Sequence, residues 1–183
     1  ITVRVIPEGS ARAIALETGE VDLVWGVDPT DCSNIEANSD VKLLSQPSSS
    51  IEYLGMNMTK EHFKDQKVRQ AINYAINKDA YCAVVKNGVA TPATSIIGPN
   101  VQFYKGNDVY AYDIEKAKSL LAEAGYPDGF KTSIMCASTT ANLKQCEFLQ
   151  QQLAQVGIDV EINALESAVV NQKIQDVNVP GSE

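Results

Sequence analysis

Histidine and tryptophan occur once each among the 183 residues, as His62 and Trp25, and arginine only at positions 4, 12 and 69. A lone histidine leaves any Ser-His-Asp or Cys-His apparatus a single residue to build on. His62 lies between Glu61 and Phe63, just ahead of a helix start, and reads as a solvated turn residue. No GxSxG, HExxH, GxGxxG or P-loop pattern occurs, which removes the usual signatures of serine hydrolases, zincins, dinucleotide-binding proteins and P-loop enzymes. The carboxylate pairs Glu20/Asp22 and Glu161/Glu166 read as surface residues. An enzyme is therefore not expected.

Positive charge is also scarce. Fifteen Lys and Arg face 23 Asp and Glu, a net charge of −8, and the three arginines form no basic stripe. Nucleic acid is excluded as a partner, because phosphate backbones are bound by clustered cations. No run of 18 apolar residues is present to span a bilayer. The four cysteines, at 32, 82, 136 and 146, have no CxxC spacing, so no zinc site is expected and no other cofactor is implied. Cys82 and Cys146 fit buried thiols on helix faces. A Cys136–Cys146 disulfide stays open, since the segment between them can fold back. The chain starts on Ile1-Thr2-Val3-Arg4-Val5-Ile6, strand-like and without an initiator Met, and reads as a mature or excised piece of something longer.

What is present is an ordinary core composition, 44% hydrophobic against 21% charged, enough for one α/β domain over residues 1–183. Strands are expected at 1–6, 21–27, 41–46 and 51–58, with VDLVWGV (21–27) buried on both faces. Ser10 is expected to cap a helix over 11–18 that stops at Gly19. Asp28 followed by Pro29 predicts a helix over 29–37. Asp65 caps FKDQKVRQAINYAI, whose Val68, Ala71, Ile72, Ala75 and Ile76 make one buried stripe. Arg69, near the N-terminal end of that helix, requires a carboxylate or backbone carbonyls nearby. Asp79 is expected to cap the next helix, which runs toward Lys86.

Asp113 caps the helix that stops at Gly125. TSIMCA (132–137), a helix over 140–156 and IDVEINAL (158–165) follow, then a short helix and a polar tail over 167–183. Residues 91–111, TPATSIIGPNVQFYKGNDVYA, are too rich in Pro and Gly for regular structure, and loops this long in compact domains serve function or move. Their aromatics, Phe103, Tyr104 and Tyr110, offer apolar area joined to hydrogen-bonding groups. Trp25, at the end of its expected strand and before Gly26, stands where α/β sheets present ligand-facing residues.

The order of these segments resembles the bacterial extracellular solute-binding proteins of family 5, the receptors of oligopeptide, dipeptide and nickel ABC importers. The stretches that carry the likeness are SARAIALETGEVDLVWGV (10–27), YLGMNMTKEHFKDQKVRQAINYAINKDA (53–80), the PA of 92–93, YDIEKAKSLLAEAGYPDGF (112–130) and KQCEFLQQQLAQVGIDVEI (144–162). The resemblance implies one lobe, the second, of a periplasmic-binding-protein-like type II receptor: a mixed β-sheet flanked by helices, with the first lobe absent. It further implies a monomer outside the cytoplasmic membrane, periplasmic or tethered as a lipoprotein. Such a receptor closes on a peptide and delivers it to a membrane permease; relatives carry nickel chelates, haem or oligosaccharides. Trp25, Tyr104 and Tyr110 are then expected to wall the ligand, and Asn100 and Asn57 to orient it. A non-catalytic protein-interaction module is the alternative.

Overall fold

In the computed structural model the described residues are 1–107 and 110–175. The buried centre is built by two helices and the start of a strand. Helix α4 (Gln66–Ala75) contributes Val68, Ala71, Ile72 and Ala75, and α6 (Ile114–Glu123) contributes Ala117, Leu120 and Leu121. Alanine at 71, 75 and 117 lets these helices approach closely, since a methyl group sets their separation. Leu153, Val156, Ile158 and Val160 close the cluster from the other side. Asp65 caps α4 by accepting from the Lys67 amide at 2.7 Å, and Asp113 caps α6 by accepting from the Lys116 amide at 2.9 Å. Arg69 donates to the Phe63 and Lys64 carbonyls at 2.7 and 2.8 Å. Its expected anchor is therefore the backbone of the preceding turn, α3 (Glu61–Lys64).

The sheet consists of β1 (Lys131–Ala137) and β2 (Asp159–Leu165), parallel and in register from Lys131 opposite Asp159 to Ala137 opposite Leu165. Helix α7 (Thr140–Ala154) makes the crossover and packs on both strands. The backbones cross closely where the strands begin: a Cβ on Gly129 would lie 2.0 Å from the Gly157 carbonyl oxygen, and both glycines have φ near +80°. Only glycine fits that crossing. The remaining helices are α1 (Gly9–Glu17), α2 (Cys32–Ala37), α5 (Lys78–Val84) and α8 (Ser167–Gln175). The polar tail expected beyond 175 lies outside the described residues. No helix among the described residues is long and apolar enough to cross a membrane.

Several expectations need correction. Residues 1–6, 21–27, 41–46 and 51–58 belong to no sheet. A ladder requires a partner strand, and period-2 patterning alone cannot supply one. VDLVWGV is accordingly not buried on both faces, for Leu23 and Trp25 are exposed. The described sheet is small and parallel, with helices packed on it, and the α/β class holds.

Helix α1 begins at Gly9, two residues before the expected start. A Cβ at Gly9 would meet the Asp28 carboxylate, so this acid sits against the N-terminus of α1, where the helix dipole favours it. It does not cap the helix after Pro29. Residues 29–31 form a turn, and α2 begins at Cys32. Asn77, not Asp79, caps α5, accepting from the Ala80 amide at 2.9 Å. His62 is half-buried instead of solvated, stacked on Phe130 with centroids 4.5 Å apart and edge-on to Phe63 at 4.2 Å.

Candidate functional site

Trp25 is 91% exposed, at a bend whose next residue, Gly26, has φ +76°. A β-carbon is disfavoured at that angle, so glycine sets the direction in which the tryptophan is presented. The bend is held from one side by Arg12 of α1. Its Nη2 donates to the Gly26 carbonyl at 2.9 Å, while Nη1 donates to the Ile6 and Pro7 carbonyls at 3.0 and 2.8 Å. The Asp28 carboxylate lies 3.8 Å from the same guanidinium. One planar fork thus fixes the N-terminal segment, α1 and the Trp25 bend together. Sequence reading missed this role of Arg12, because its partners are backbone carbonyls and leave no mark in the residue pattern.

Within the 91–111 loop, residues 94–107 are folded back on themselves. The Tyr104 and Thr94 hydroxyls share a hydrogen bond of 2.7 Å, and the Asn107 amide donates to the Thr94 carbonyl at 3.0 Å. Asn100 Nδ2 donates to the Pro47 carbonyl at 2.7 Å, and Gly98 is buried against Ser48 and Ser49. Tyr110 is half-buried edge-on to Tyr74 at 5.3 Å, and its carbonyl accepts from Lys78 Nζ at 3.2 Å. The loop is therefore pinned in its middle, at 98–100, to the 47–49 turn, and at Tyr110 to the end of α4.

Phe103, between these anchors, is 87% exposed with φ +70°, a backbone angle few non-glycine residues adopt. Exposure of a bulky aromatic in a strained turn makes it a further candidate contact. The signal was its place among the loop aromatics, although its orientation could not be read from sequence.

Asn57 Oδ1 accepts from the Thr59 amide at 3.0 Å and the Thr59 hydroxyl at 2.8 Å, which shapes the turn into α3. Glu52, a few residues earlier, accepts from the Tyr81 hydroxyl at 2.9 Å and from the Lys86 ammonium. Burial first, then the Glu52 carboxylate, pushes the Tyr81 hydroxyl well above the ordinary phenol range. It stays a neutral donor and ties residues 51–53 to α5.

Of the five predicted contacts, Asn100 and Tyr104 share one folded loop, and Tyr110 braces its far end. Trp25 and Asn57 are each positioned by their own network. A shallow cleft of about 220 Å³ between α1 and α2, lined by Ser10, Ile14, Glu17, Asp31 and Asn34, contains none of them. Enclosed small-molecule sites usually reach about 300 Å³ or more, so this cleft is smaller than such a site.

Among the described residues no three His, Cys, Asp or Glu side chains are grouped to hold a metal. Glu20 is paired with Arg4 at 2.9 Å.

The family model for bacterial extracellular solute-binding proteins, family 5 Middle, matches residues 1–180. The chain belongs to that family. It is 38% identical over 168 residues to the glutathione-binding protein GsiB of Escherichia coli K12, covering 91% of this chain and 33% of that protein. Among solved structures it resembles the periplasmic binding protein DppA of Helicobacter pylori in complex with the peptide STSA. The identity is 38% and the TM-score 0.80, over 93% of this chain and 33% of that one. It also resembles NikA of Brucella suis in complex with Fe(III)-EDTA, at 30% identity and TM-score 0.81, over 95% and 39%. This chain spans about a third of the length of these relatives. The family is one of binding proteins and not of enzymes, in agreement with the sequence reading, and the neighbours share the α/β lobe.

Proposed function

We propose that residues 1–183 form a single α/β domain, the second lobe of a two-lobed receptor that captures a peptide by hinge closure. The receptor then delivers the peptide to the membrane permease of an ABC importer. The observation that carries this reading is the likeness to a DppA bound to a peptide, at 38% identity over 93% of this chain. The first lobe, on this reading, comes from polypeptide outside these residues, and it supplies the cover that an open wall lacks. Trp25, Tyr104 and Tyr110 give apolar walling. Asn100 and Asn57 orient the peptide main chain through direct and water-mediated hydrogen bonds. Closure is favoured by as much as the peptide binds the closed form better than the open one. No bond is made or broken. The receptor works as a monomer outside the cytoplasmic membrane, periplasmic or lipid-tethered.

The likeness to NikA with Fe(III)-EDTA supports a second reading, a chelated metal carried through its ligand. Native mass spectrometry of the gently purified full-length protein, followed by thermal melts with di- to tetrapeptides and metal chelates, separates the two. A peptide at a hundred times its Kd should stabilise the protein by about 2.7 kcal/mol. Stabilisation by chelates alone supports the second reading, and stabilisation by neither class removes both.

A further inference from the structure

Residues 1–26 repeat, without a ladder, the arrangement that β1, α7 and β2 complete. Residues 1–6 lead into α1, and residues 20–26 lead away from it. Two side-chain bridges join these non-helical segments. Arg4 pairs with Glu20 at 2.9 Å, and the Arg12 fork joins the Ile6 and Pro7 carbonyls to that of Gly26. Position 4 thus lies toward 20, and positions 6–7 toward 26. The two segments run in the same direction, with α1 as their crossover.

Neighbouring parallel strands lie about 4.8 Å apart and exchange evenly spaced backbone bonds. β1 and β2 do so from Lys131 opposite Asp159 to Ala137 opposite Leu165. Among the described residues, 2–5 and 22–24 make no backbone–backbone hydrogen bond. Long side chains join these segments where a ladder would use the backbone. Their apolar side chains are uncovered too: Val3 and Val5 are 85% exposed and Leu23 is 76% exposed. Val3 and Val5 stand two residues apart, the period of a strand, and valine favours a covered, pleated surface. Natural proteins seldom leave unpaired backbone edges and alternating exposed apolar side chains together.

Consecutive parallel strands are direct neighbours only about two-thirds of the time, and in other sheets a further strand lies between them. Polypeptide to supply such a strand exists in the relatives. The chain covers 33% of GsiB and 33% of DppA, so most of each lies outside the match. A second copy of residues 1–183 would bring the same unpaired edges and no spare strand, because β1 and β2 already pair with each other.

We propose that a strand from the part of the full-length polypeptide outside residues 1–183 pairs with both 2–5 and 22–24 and covers Val3, Val5 and Leu23. This rests on the proposed function only for the existence of that further polypeptide. Being covalently joined, the strand meets its edges at a high effective concentration. The Arg12 fork marks the end of the paired stretch at Gly26, and Trp25 lies just past the covered residues.

Hydrogen exchange of the ligand-free, full-length protein, followed by mass spectrometry over a range of protein concentrations, tests this pairing. Residues 2–5 and 22–24 should exchange many-fold more slowly than an unfolded chain, equally at every concentration. Exchange at unfolded-chain rates overturns the proposal. Protection that grows with concentration assigns the cover to a second copy and overturns it as well. V5D and L23D each place a carboxylate on the covered face, and each should speed exchange in both segments at once, because one strand serves both. A response confined to the substituted segment contradicts the shared strand. The wild-type rates decide the matter even if a variant fails to fold. Peptide capture is not involved. A full-length protein that binds peptide yet exchanges freely at both segments contradicts the shared strand alone. One that is protected there but binds no peptide contradicts only the proposed function.

Discussion

Arg12 and Trp25 are 13 residues apart in sequence, yet they share one hydrogen-bonded bend. The guanidinium joins the Ile6, Pro7 and Gly26 carbonyls. Arg12→Met keeps the stem and removes the fork, and it should lower stability by about 1–2 kcal/mol given the partial exposure of these bonds. Urea unfolding measures that loss, and an unchanged midpoint would mean that the fork holds nothing. His62 carries the second prediction at this scale. Its burial, with the Lys60 charge adding to it, lowers its pKa below the ordinary 6.5. The unfolded state then binds more protons below about 6.5, so this contribution to stability is complete above that pH and is lost as pH falls toward the lowered value. Between about pH 7 and about pH 5 the wild type should lose more stability than His62→Gln, whose side chain does not titrate. Parallel melting curves for the two proteins over that range would contradict the assigned environment.

Elements were legible where their signals are local. The Asp65 and Asp113 caps, the apolar stripe of α4 and the crossover unit from β1 to β2 follow from residues within a few positions of each other. The strands expected at 1–6, 21–27, 41–46 and 51–58 did not form a sheet, because strand structure depends on a partner that patterning cannot name. Exposed Val3, Val5, Leu23, Leu44 and Tyr53 keep the period-2 signal without its burial. The Gly129–Gly157 crossing is the feature of the sheet most open to test. Gly129→Ala places a methyl group against the Gly157 carbonyl and requires φ near +78°. Its cost should be at least about 2 kcal/mol, since the left-handed angle alone costs about 1–2 kcal/mol. A stability within a few tenths of a kcal/mol of wild type, by chemical denaturation, would show that the strands meet differently.

At the scale of the whole molecule, the likeness to family 5 solute-binding proteins was legible in the order of segments, and the match over residues 1–180 places the chain in that family. The site was less legible. Composition and loop length drew attention to Trp25 and the loop aromatics, but which groups are already engaged depends on contacts between distant residues. Asn100 with Pro47 and Arg12 with Gly26 are two such contacts. Under the proposed function the Trp25 bend and the 94–107 loop face one ligand. Hydrogen exchange of the full-length protein, with and without a peptide whose binding is established by native mass, tests it most directly. Slowed exchange at both 23–26 and 94–107 is the expected result when the peptide is bound. A bound peptide that leaves both segments exchanging at their free rates would contradict it.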